Sequence, residues 1–487
     1  MTVAHPPQTA AAALPKAGST IHLLGICGTA MTALAGMLQS QGYRVTGTDD
    51  HVYPPMSDHL RAMGIPFQEG YRPENIPAET ALAIVGNVIQ AKNPEAQAVM
   101  AQGLPYLSMA EAVKRFAIGS RYTVAVTGTH GKTTTTALGA HVLVELDADP
   151  GFLIGGIARN FESNFRLGRG DIFIIEGDEY DTAYFDKTPK FLKYTPDCLI
   201  VTSLEFDHAD IYADLDAIRT QFQTLVRGLP ESGLLVVCAD DPEARALAAL
   251  APCPVVTYGE AEDADCRVAE WQALGEGSAF QTRWNGEQDN WHLPLPGRYN
   301  ALNAAAVMIA CRSRGYDRAA IARAFGTFRG VKRRQEVRGE AMGVTVLDDF
   351  AHHPTAVRLT LEGMRARYPG RRLWAVFEPR SFTARSSRFQ QEFAAAFHGA
   401  DQVLLARPYQ SGYSAGTAPL DTAALAATIG RTGPPARSLD STDAVLAALE
   451  TDCLPGDVVL IMSNGGFDNL HERLLAVLRQ REQEQQA

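Results

Sequence analysis

The fold is decided by one stretch, Val124-Ala125-Val126-Thr127-Gly128-Thr129-His130-Gly131-Lys132-Thr133-Thr134-Thr135-Thr136, in which an apolar strand breaks into a glycine-bearing loop and then a helix. A loop of this build directs backbone N–H groups to a helix N-terminus, where the dipole also favours negative charge. Lys132 can reach the terminal phosphates of a nucleotide, and the Thr133 hydroxyl can hold Mg²⁺. Val126 stands where the usual Gly-x4-Gly-Lys-Thr pattern has its first glycine. A chance Gly-Lys-Thr turn is the alternative, but the strand before it and the helix after it favour binding of ATP or GTP.

Length and charge bound the class of protein. A chain of 487 residues is too long for one core, so about two to four domains are expected. Its 46% hydrophobic and 20% charged residues are typical of a globular protein. The net charge of −11 argues against a general nucleic-acid binder, because neutralising phosphates needs clustered Lys and Arg.

Cysteine usage and the lack of membrane signals predict a soluble cytoplasmic protein. The seven cysteines are scattered without a Cys-x-x-Cys pair, which is typical of reduced thiols. Residues 1–20 are rich in Ala and Pro and are interpreted as a loose tail, not a signal peptide. No apolar run approaches the roughly 20 residues of a membrane helix. The oligomeric state stays open between a monomer and a weak dimer.

Alternating short strands and helices predict an α/β protein of three domains with largely parallel sheets. The first, residues 21–118, is a Rossmann-like domain. The second, residues 119–338, is a central P-loop domain, and its polar 260–290 segment suggests an antiparallel edge at Arg267-Val268-Ala269 and Phe280-Gln281-Thr282. The third, residues 339–487, is a second Rossmann-like domain.

Acidic and imidazole side chains follow two strands of the central domain. The strand Ile172–Ile175 is followed by Glu176, and then by Asp178, Glu179 and Asp181. A carboxylate at the end of a parallel strand beside a P-loop is where Mg²⁺ is held, so Glu176 is assigned to the metal and the other three are left open. His208 follows the next strand and is interpreted as a metal or phosphate ligand.

Four further motifs suggest binding chemistry. Asn300 and Asn303 lie on one face of a starting helix and suit adenine, ribose or substrate contacts, although Asn300 could instead cap the helix. Lys332-Arg333-Arg334 lies at a domain hinge, where a cation could clamp a phosphoryl group. A further motif follows a strand, Asp348-Asp349-Phe350-Ala351-His352-His353-Pro354. Its carboxylates and imidazoles come at the carboxyl end of that strand, where a binding site at a domain cleft is expected. Gly25-Ile26-Cys27-Gly28 lacks the full dinucleotide spacing, so a phosphate-binding turn is preferred to a redox site.

Together these motifs resemble the Mur ligase family of ATP-dependent, amide-forming enzymes of peptidoglycan precursor metabolism. The likeness covers about residues 20 to 480 and keeps the family order Gly-Thr-His-Gly-Lys-Thr-Thr, Glu-x-Asp-Glu, Asp-His, Asn-x-x-Asn, Arg-Arg, Asp-Asp-x-x-His-His-Pro. His130, Leu295-Pro296-Gly297-Arg298 and His352-His353-Pro354 point to the branch that acts on UDP-N-acetylmuramic acid. Strings such as Val52-Tyr53-Pro54-Pro55-Met56 and Glu179-Tyr180-Asp181-Thr182-Ala183-Tyr184-Phe185 favour attachment of the tripeptide L-alanyl-γ-D-glutamyl-meso-diaminopimelate over attachment of alanine.

The resemblance implies roles for individual residues. The catalytic set would be Lys132, Glu176, His208, Arg334 and Asp349, with the metal held by Thr133, Glu176 and His208. The ATP site would comprise Gly128, Thr129, His130, Gly131, Lys132, Thr133, Thr134, Asn300, Asn303, Arg334 and Asp349. The UDP-sugar site would comprise Gly25, Cys27, Gly28, Thr29, Ala30, Met31, Asp49 and Asn87. Arg380 and Ser463 would meet the carboxylates of the peptide, since a guanidinium can bind a carboxylate through two hydrogen bonds.

One departure is visible. Other branches of the family carry a carbamylated lysine shortly after the Asp-His motif, but residues 211–223 contain no lysine. The resemblance therefore implies a site that uses ATP and Mg²⁺ without that bridge.

The mechanism expected is a two-step amide synthesis through an acyl phosphate, with domain closure about a hinge near Arg338–Gly339. Four rivals are retained: the alanine-adding ligase, a folyl- or amino-acid-polymerising relative of the same superfamily, a nucleotide-gated binding protein, and, from the first glycine turn alone, a nicotinamide dehydrogenase.

Overall fold

A computed structural model describes residues 13–52, 56–409 and 418–486. Most of the predicted tail, residues 1–12, and residues 53–55 of the Val52–Met56 string lie outside the described residues. Within the described part, the chain forms two compact units. The first unit comprises Met1–Leu204, Arg219–Thr257 and Ala306–Ala324, and the second comprises Glu205–Ile218, Tyr258–Ala305 and Phe325–Ala487. The predicted first domain and the P-loop region therefore belong to one unit.

The first unit begins with a five-stranded parallel sheet, here called the N-terminal sheet. Its spatial order is Phe67–Glu69, Arg44–Asp49, Thr20–Leu24, Thr80–Val85, Tyr106–Ser108. Its helices are Thr29–Ser40, Met56–Ala62, Pro94–Ala101 and Met109–Ala112, the last continued by a π-helical turn over Val113–Ile118. The central strand is fully buried, as an apolar run in a parallel sheet should be. The chain reverses its strand order between Thr20–Leu24 and Thr80–Val85, which is where such sheets open a ligand crevice.

A second parallel sheet in the same unit, the central sheet, carries the phosphate loop. Its order is Leu234–Cys238, Cys198–Val201, Tyr122–Thr127, Ile172–Glu176, Gly151–Ala158, with Ser163–Arg166 antiparallel at the edge. The helix Lys132–Glu145 follows Tyr122–Thr127, and the helix Pro242–Ala246 follows Leu234–Cys238. A short hairpin, Asp181–Ala183 with Asp186–Pro189, follows the acidic run. The predicted mostly parallel sheet is confirmed.

The second unit contains an antiparallel meander and a six-stranded sheet. The meander consists of Cys266–Leu274, Gly277–Trp284 and Glu287–Leu293, which confirms the antiparallel prediction for the polar segment. The C-terminal sheet has the order Glu336–Ala341, Val344–Asp349, Val458–Met462, Leu373–Phe377, Gln402–Ala406, Ala436–Leu439, and only its first strand is antiparallel. Its helices are Pro354–Arg367, Gln390–Ala396, Thr422–Thr432, Thr442–Asp452 and Leu470–Gln486.

Four elements run from one unit into the other along the chain: Leu215–Arg227, Val255–Gly259, Arg298–Ser313 and Arg318–Gly326. The core of the C-terminal sheet centres on Trp374, which is 1% exposed and donates its indole N–H to Asp457 at 2.9 Å. Among the described helices, none combines the length and apolar character that crossing a bilayer requires.

Candidate active site

The phosphate loop is shaped by two glycines and by the end of the neighbouring strand. Gly128 has φ 120° and Gly131 has φ 83°, values that side chains other than glycine rarely adopt. A Cβ at Gly128 would also lie 2.3 Å from the Thr202 hydroxyl. Ser203 accepts the N–H of Thr129 at its carbonyl (2.9 Å) and the N–H of His130 at its hydroxyl (3.1 Å). Two of the loop's N–H groups are thus directed to the protein, so the first turn of the helix Lys132–Glu145 is left as the anion-facing part.

Lys132, at the start of that helix, is held inside the loop. Its Nζ donates to Gly128 O at 2.6 Å and Thr129 O at 3.4 Å, and it contacts Glu179 Oε1 at 2.9 Å. Burial alone would lower the pKa of Lys132, but Glu179, Glu176 and Asp178 outweigh it and raise the pKa above its usual value. The residue predicted to meet the terminal phosphates is therefore a charged ammonium.

The four carboxylates of the acidic run have different partners. Asp178 contacts Lys190 at 2.6 Å, Glu179 contacts Lys132, and Asp181 contacts Lys187 at 2.8 Å. Glu176 instead accepts from two neutral donors, the Thr133 hydroxyl at 3.0 Å and the Gly155 N–H at 2.7 Å. A carboxylate and a hydroxyl at the same strand end are oxygen donors of the kind that Mg²⁺ prefers. The residues present fit the predicted metal at Thr133 and Glu176.

The predicted UDP-sugar residues lie around the switch point of the N-terminal sheet. Gly25 N–H donates to Thr48 O at 2.8 Å, and Gly86 N–H, next to Asn87, donates to Leu24 O at 2.9 Å. Gly28 precedes the helix Thr29–Ser40 without a side-chain cap, which leaves that N-terminus suited to an anion. The turn residues Gly25 to Met31 and Asn87 are thus brought to the carboxyl ends of two neighbouring strands.

Asp49 shapes this turn from the next strand. It is 7% exposed, and its two carboxylate oxygens accept the N–H groups of Cys27 at 2.9 Å and His51 at 3.0 Å. Burial, with Asp49 nearby, raises the pKa of the Cys27 thiol to about 11, so Cys27 stays protonated and unreactive. The structure gives Asp49 a positioning role in the turn, and its contact with a sugar stays a prediction.

In the second unit, Asp207 lies close to His208 and His352, two histidines of the motifs described in the sequence. It is 5% exposed, its Oδ2 lies 3.8 Å from His352 Nε2 and 4.0 Å from His208 Nε2, and its Oδ1 accepts the His208 N–H at 2.7 Å. Burial alone would raise the pKa of Asp207, but His208, His352, His353 and the Thr383 hydroxyl hold it far below its usual value. Burial lowers the pKa of His352 although Asp207 opposes the shift. His208 has φ 56°, a left-handed backbone that only a well-determined loop maintains.

A second carboxylate extends the same cluster. Glu205 Oε2 accepts the Thr355 hydroxyl at 2.7 Å and lies 3.4 Å from His353 Nδ1. His353 Nε2 faces Phe206 O at 3.2 Å, and its side chain caps the helix Pro354–Arg367. The segment Glu205–His208 and the motif His352-His353-Pro354 are therefore one hydrogen-bonded assembly.

The asparagine pair is buried and internally bonded. Asn300 and Asn303 are 4% and 5% exposed. Asn300 Nδ2 donates to Pro296 O at 2.7 Å, and Asn303 Nδ2 donates to Asn300 Oδ1 at 3.3 Å. The predicted shared face is confirmed, while contact with a nucleotide stays a prediction.

Asp349 and Arg334, both in the predicted catalytic set, belong to the second unit. Asp349 is 4% exposed and accepts the N–H groups of Gln335 at 2.7 Å and Ala351 at 2.8 Å. Burial raises the pKa of Asp349, although Arg334 and both N–H groups oppose the rise. The Arg334 guanidinium lies 4.6 Å from the centre of the Phe350 ring.

The two residues assigned to the peptide contact the same carboxylate. Glu378 accepts the Ser463 hydroxyl at 2.5 Å and lies 3.6 Å from Arg380, whose guanidinium stacks on Tyr409 at 4.0 Å. A Cβ at Gly465 would lie 2.0 Å from Arg380 Nε, so this arrangement requires a glycine there. Ser463 is only 2% exposed, and this geometry favours a supporting role for it behind Arg380.

Comparison with known proteins identifies the family of this chain. Three family models match in order: Mur ligase family, catalytic domain, at residues 20–121; Mur ligase middle domain at residues 126–311; and Mur ligase, glutamate ligase domain, at residues 333–465. The chain is 38% identical over 463 residues to the UDP-N-acetylmuramate–L-alanyl-γ-D-glutamyl-meso-2,6-diaminoheptandioate ligase of Escherichia coli, covering 93% of this chain and 97% of that one. The chain belongs to the Mur ligase family.

Two further members of the family are similar to this chain over most of its length. The UDP-N-acetylmuramate–L-alanine ligase of Halorhodospira halophila is 37% identical over 464 residues, covering 93% of this chain and 92% of that one. The crystal structure of a murein peptide ligase from Psychrobacter arcticus aligns with TM-score 0.72 and 33% identity over 95% of this chain and 99% of that one. The chain is thus an ATP-dependent, ADP-forming amide ligase with the three-domain α/β architecture of Mur ligases.

This Mur ligase also shows what occupies the region that lacks the bridging lysine. The helix Leu215–Arg227 carries Arg219, whose Nε and Nη2 each contact a Glu243 oxygen at 2.8 Å. In a bidentate pair of this kind, two nitrogens of the guanidinium donate to one carboxylate, so we interpret it as a structural contact.

Several residues that serve these sites were not predicted from sequence. They include Thr202 and Ser203 behind the loop, Asp207 among the imidazoles and Glu378 behind Arg380. Thr202 and Ser203 had a usable signal, because they follow the strand that neighbours the P-loop strand. Asp207 had another, since it precedes His208, but Glu378 had none without the fold.

Proposed function

We propose that this Mur ligase joins UDP-N-acetylmuramic acid to the tripeptide L-alanyl-γ-D-glutamyl-meso-diaminopimelate, at the cost of ATP, in peptidoglycan recycling. Support for the tripeptide comes from relatives so named in Escherichia coli and Haemophilus influenzae, at 38% and 37% identity. The alanine-adding ligase is the second candidate, because relatives with that name reach similar identity over similar lengths.

One observation carries the nucleotide half of the proposal. A half-buried lysine, a threonine hydroxyl and Glu176 converge at the ends of parallel strands, with the lysine 2.6 Å from its own loop and the hydroxyl 3.0 Å from the carboxylate. This is the arrangement that phosphoryl transfer needs, since the enzyme's work is positioning and charge compensation.

The chemistry proposed has two balanced steps. A carboxylate oxygen of the muramoyl lactoyl group attacks the γ-phosphorus, the bond to the ADP oxygen breaks, and an acyl phosphate and ADP result. The alanine amine then attacks the acyl carbon, the carbon–oxygen bond to phosphate breaks, and the amine releases a proton. Lys132 and Arg334 offset negative charge during these steps. Thr133 and Glu176 would hold Mg²⁺, which when bound neutralises phosphate charge, and the metal role predicted for His208 stays a prediction.

The remaining roles are proposed on the geometry of each unit. The turn Gly25 to Met31, with Asp49 and Asn87, would take the UDP-sugar at the switch point of the N-terminal sheet. Asn300, Asn303 and Asp349 would serve the nucleotide. Arg380 would meet a carboxylate of the peptide, with Glu378 fixing its orientation.

We also propose a cytoplasmic enzyme with domains at 21–118, 119–338 and 339–487. The matched family segments, 20–121, 126–311 and 333–465, support bounds close to these.

The test is ADP release by the full chain with Mg·ATP and UDP-N-acetylmuramic acid, with the tripeptide or L-alanine as acceptor. We expect ADP and the amide product with the tripeptide and little of either with alanine. Turnover with alanine alone would assign the protein to the biosynthetic reaction. A Glu176→Ala variant is the control, since it should lose turnover with both acceptors.

A further inference from the structure

The acidic run contains a carboxylate that the proposed function leaves without a role. Glu179 follows Glu176 by three residues, and its side chain is 4% exposed. Its Oε1 lies 2.9 Å from Nζ of Lys132, whose own side chain is 14% exposed. Both charges are therefore largely removed from water, where their mutual attraction is strong and the loss of one partner is costly.

The pairing matters because of where Lys132 is needed. The same ammonium that contacts Glu179 is the one proposed to meet the terminal phosphates. It also donates to Gly128 O at 2.6 Å, so its donors already have acceptors in the loop. A phosphate that approaches Nζ must replace one of these acceptors, and Glu179 is the charged one. Its carboxylate then lies near the incoming phosphate oxygens, which carry the same sign of charge.

We propose that Glu179 is the resident counter-ion of Lys132, which nucleotide displaces, and that it makes the loop discriminate against polyphosphate that carries no divalent cation. Metal-free ADP has more negative charge than its Mg²⁺ complex, so repulsion from Glu179 penalises the metal-free form more. The proposal rests on the nucleotide site proposed above and adds a positioning residue to it.

The neighbouring carboxylates provide a matched control. Asp181 lies two residues further along and pairs with Lys187 at 2.8 Å, and it is not among the main charges that raise the pKa of Lys132. Asp181→Asn and Glu179→Gln each remove one negative charge from the same run. Only Glu179→Gln removes the contact with Lys132.

The experiment is calorimetric titration of the full chain with ADP, once in EDTA and once in excess Mg²⁺. For Glu179→Gln we expect the Kd of metal-free ADP to fall about tenfold and that of Mg·ADP to fall less, because one nearby like charge is removed. Asp181→Asn should leave both Kd values within about twofold of wild type, as expected for a surface pair. Thermal unfolding of each variant checks the fold.

Three results would overturn the inference: no gain for metal-free ADP in Glu179→Gln, an equal gain for both forms of ADP, or the same gain in Asp181→Asn. Weaker binding of both forms would show a purely structural role and overturn it as well. If Glu179→Gln does not fold, Glu179→Asp replaces it, with a smaller gain expected because the carboxylate is withdrawn by one methylene. Failure of wild type to bind Mg·ADP would instead refute the nucleotide site itself.

Discussion

Lys132 in the first unit and Asp207 in the second are both buried charges, but their surroundings are opposite. Lys132 is a cation with a carboxylate at hydrogen-bond distance, 2.9 Å from Glu179. Asp207 is an anion with imidazoles at 3.8 Å and 4.0 Å, and its short contact is to a backbone N–H at 2.7 Å. The first is a tight pair of opposite charges, whereas the second is a looser cluster of one carboxylate and several imidazoles.

The difference between the surroundings of Lys132 and Asp207 follows from the role proposed for each residue. A P-loop lysine must stay charged and mobile enough to transfer from one anion to another, so a single exchangeable partner serves it. A carboxylate amid histidines fixes rings in orientation and tautomer, so it needs several partners at once. Both depend on strand ends that place polar groups beside one another in a buried loop.

The largest effect is expected from Lys132→Met. The substitution keeps an unbranched side chain only one atom shorter and removes its charge, so Glu179 loses its partner and the phosphates lose a cation. We expect ligation to fall by about a thousandfold or more, as for loss of charge stabilisation in phosphoryl transfer. ADP release under saturating substrates measures it. Activity within tenfold of wild type would remove Lys132 from the mechanism, and an unchanged melting temperature shows that folding is not the cause.

Asp207→Asn should have a smaller effect. The amide retains the shape and can still accept the His208 N–H, but it removes the negative charge that lies beside His208 and His352. We expect kcat to fall by about 10–100-fold, as is usual when the partner that orients a functional histidine is changed. The readout is kcat against KM for ATP at several pH values, because an orienting role alters kcat and its pH profile.

Asp214→Asn is the matched control for that substitution. Asp214 accepts the Ala217 N–H at 2.9 Å ahead of the helix Leu215–Arg227, where Asn is as good a cap as Asp. Its kcat should equal that of wild type. If both variants behave alike, the cluster around Asp207 has no special role.

Much of the fold around these residues could be predicted from the sequence, because local patterns of apolar residues indicate the buried strands. The apolar run Ile172–Ile175 identified the strand Ile172–Glu176 within one residue, since a buried parallel strand has no polar alternation to obscure it. The strands Phe67–Glu69, Tyr106–Ser108 and Ala436–Leu439 were missed, because short edge strands with polar residues have no such signal.

The partners within each site were harder to predict than its members. Lys132, Thr133 and Glu176 were found from motif and position. The pairing of Glu179 with Lys132 needs the register of two neighbouring strands, and that of Glu205 with Thr355 joins positions 150 residues apart. The sequence distinguished Glu176 from Asp178, Glu179 and Asp181, and the positions of Lys132, Lys187 and Lys190 distinguish those three from one another.

A third buried group, His141, tests how far burial alone determines the pKa of an imidazole. It is 2% exposed, its Nε2 lies 2.9 Å from Ala324 O, and burial lowers its pKa although that carbonyl opposes the shift. The folded state therefore keeps His141 neutral at a pH where the unfolded chain, with its pKa of about 6.5, takes up a proton. Stability from this group is present above that value and falls as the pH decreases through and below it.

His141→Gln retains a donor for Ala324 O and cannot titrate, so its stability should depend less on pH than that of wild type. The measurement is the free energy of unfolding by urea at pH 7.5 and pH 5.5 for both proteins. We expect the wild type to lose more free energy of unfolding than His141→Gln between pH 7.5 and pH 5.5. His352 differs from His141, because the carboxylate of Asp207 opposes part of the lowering of its pKa by burial. Equal losses would mean that His141 is protonated in the folded state as readily as in the unfolded one, and that burial does not govern its titration.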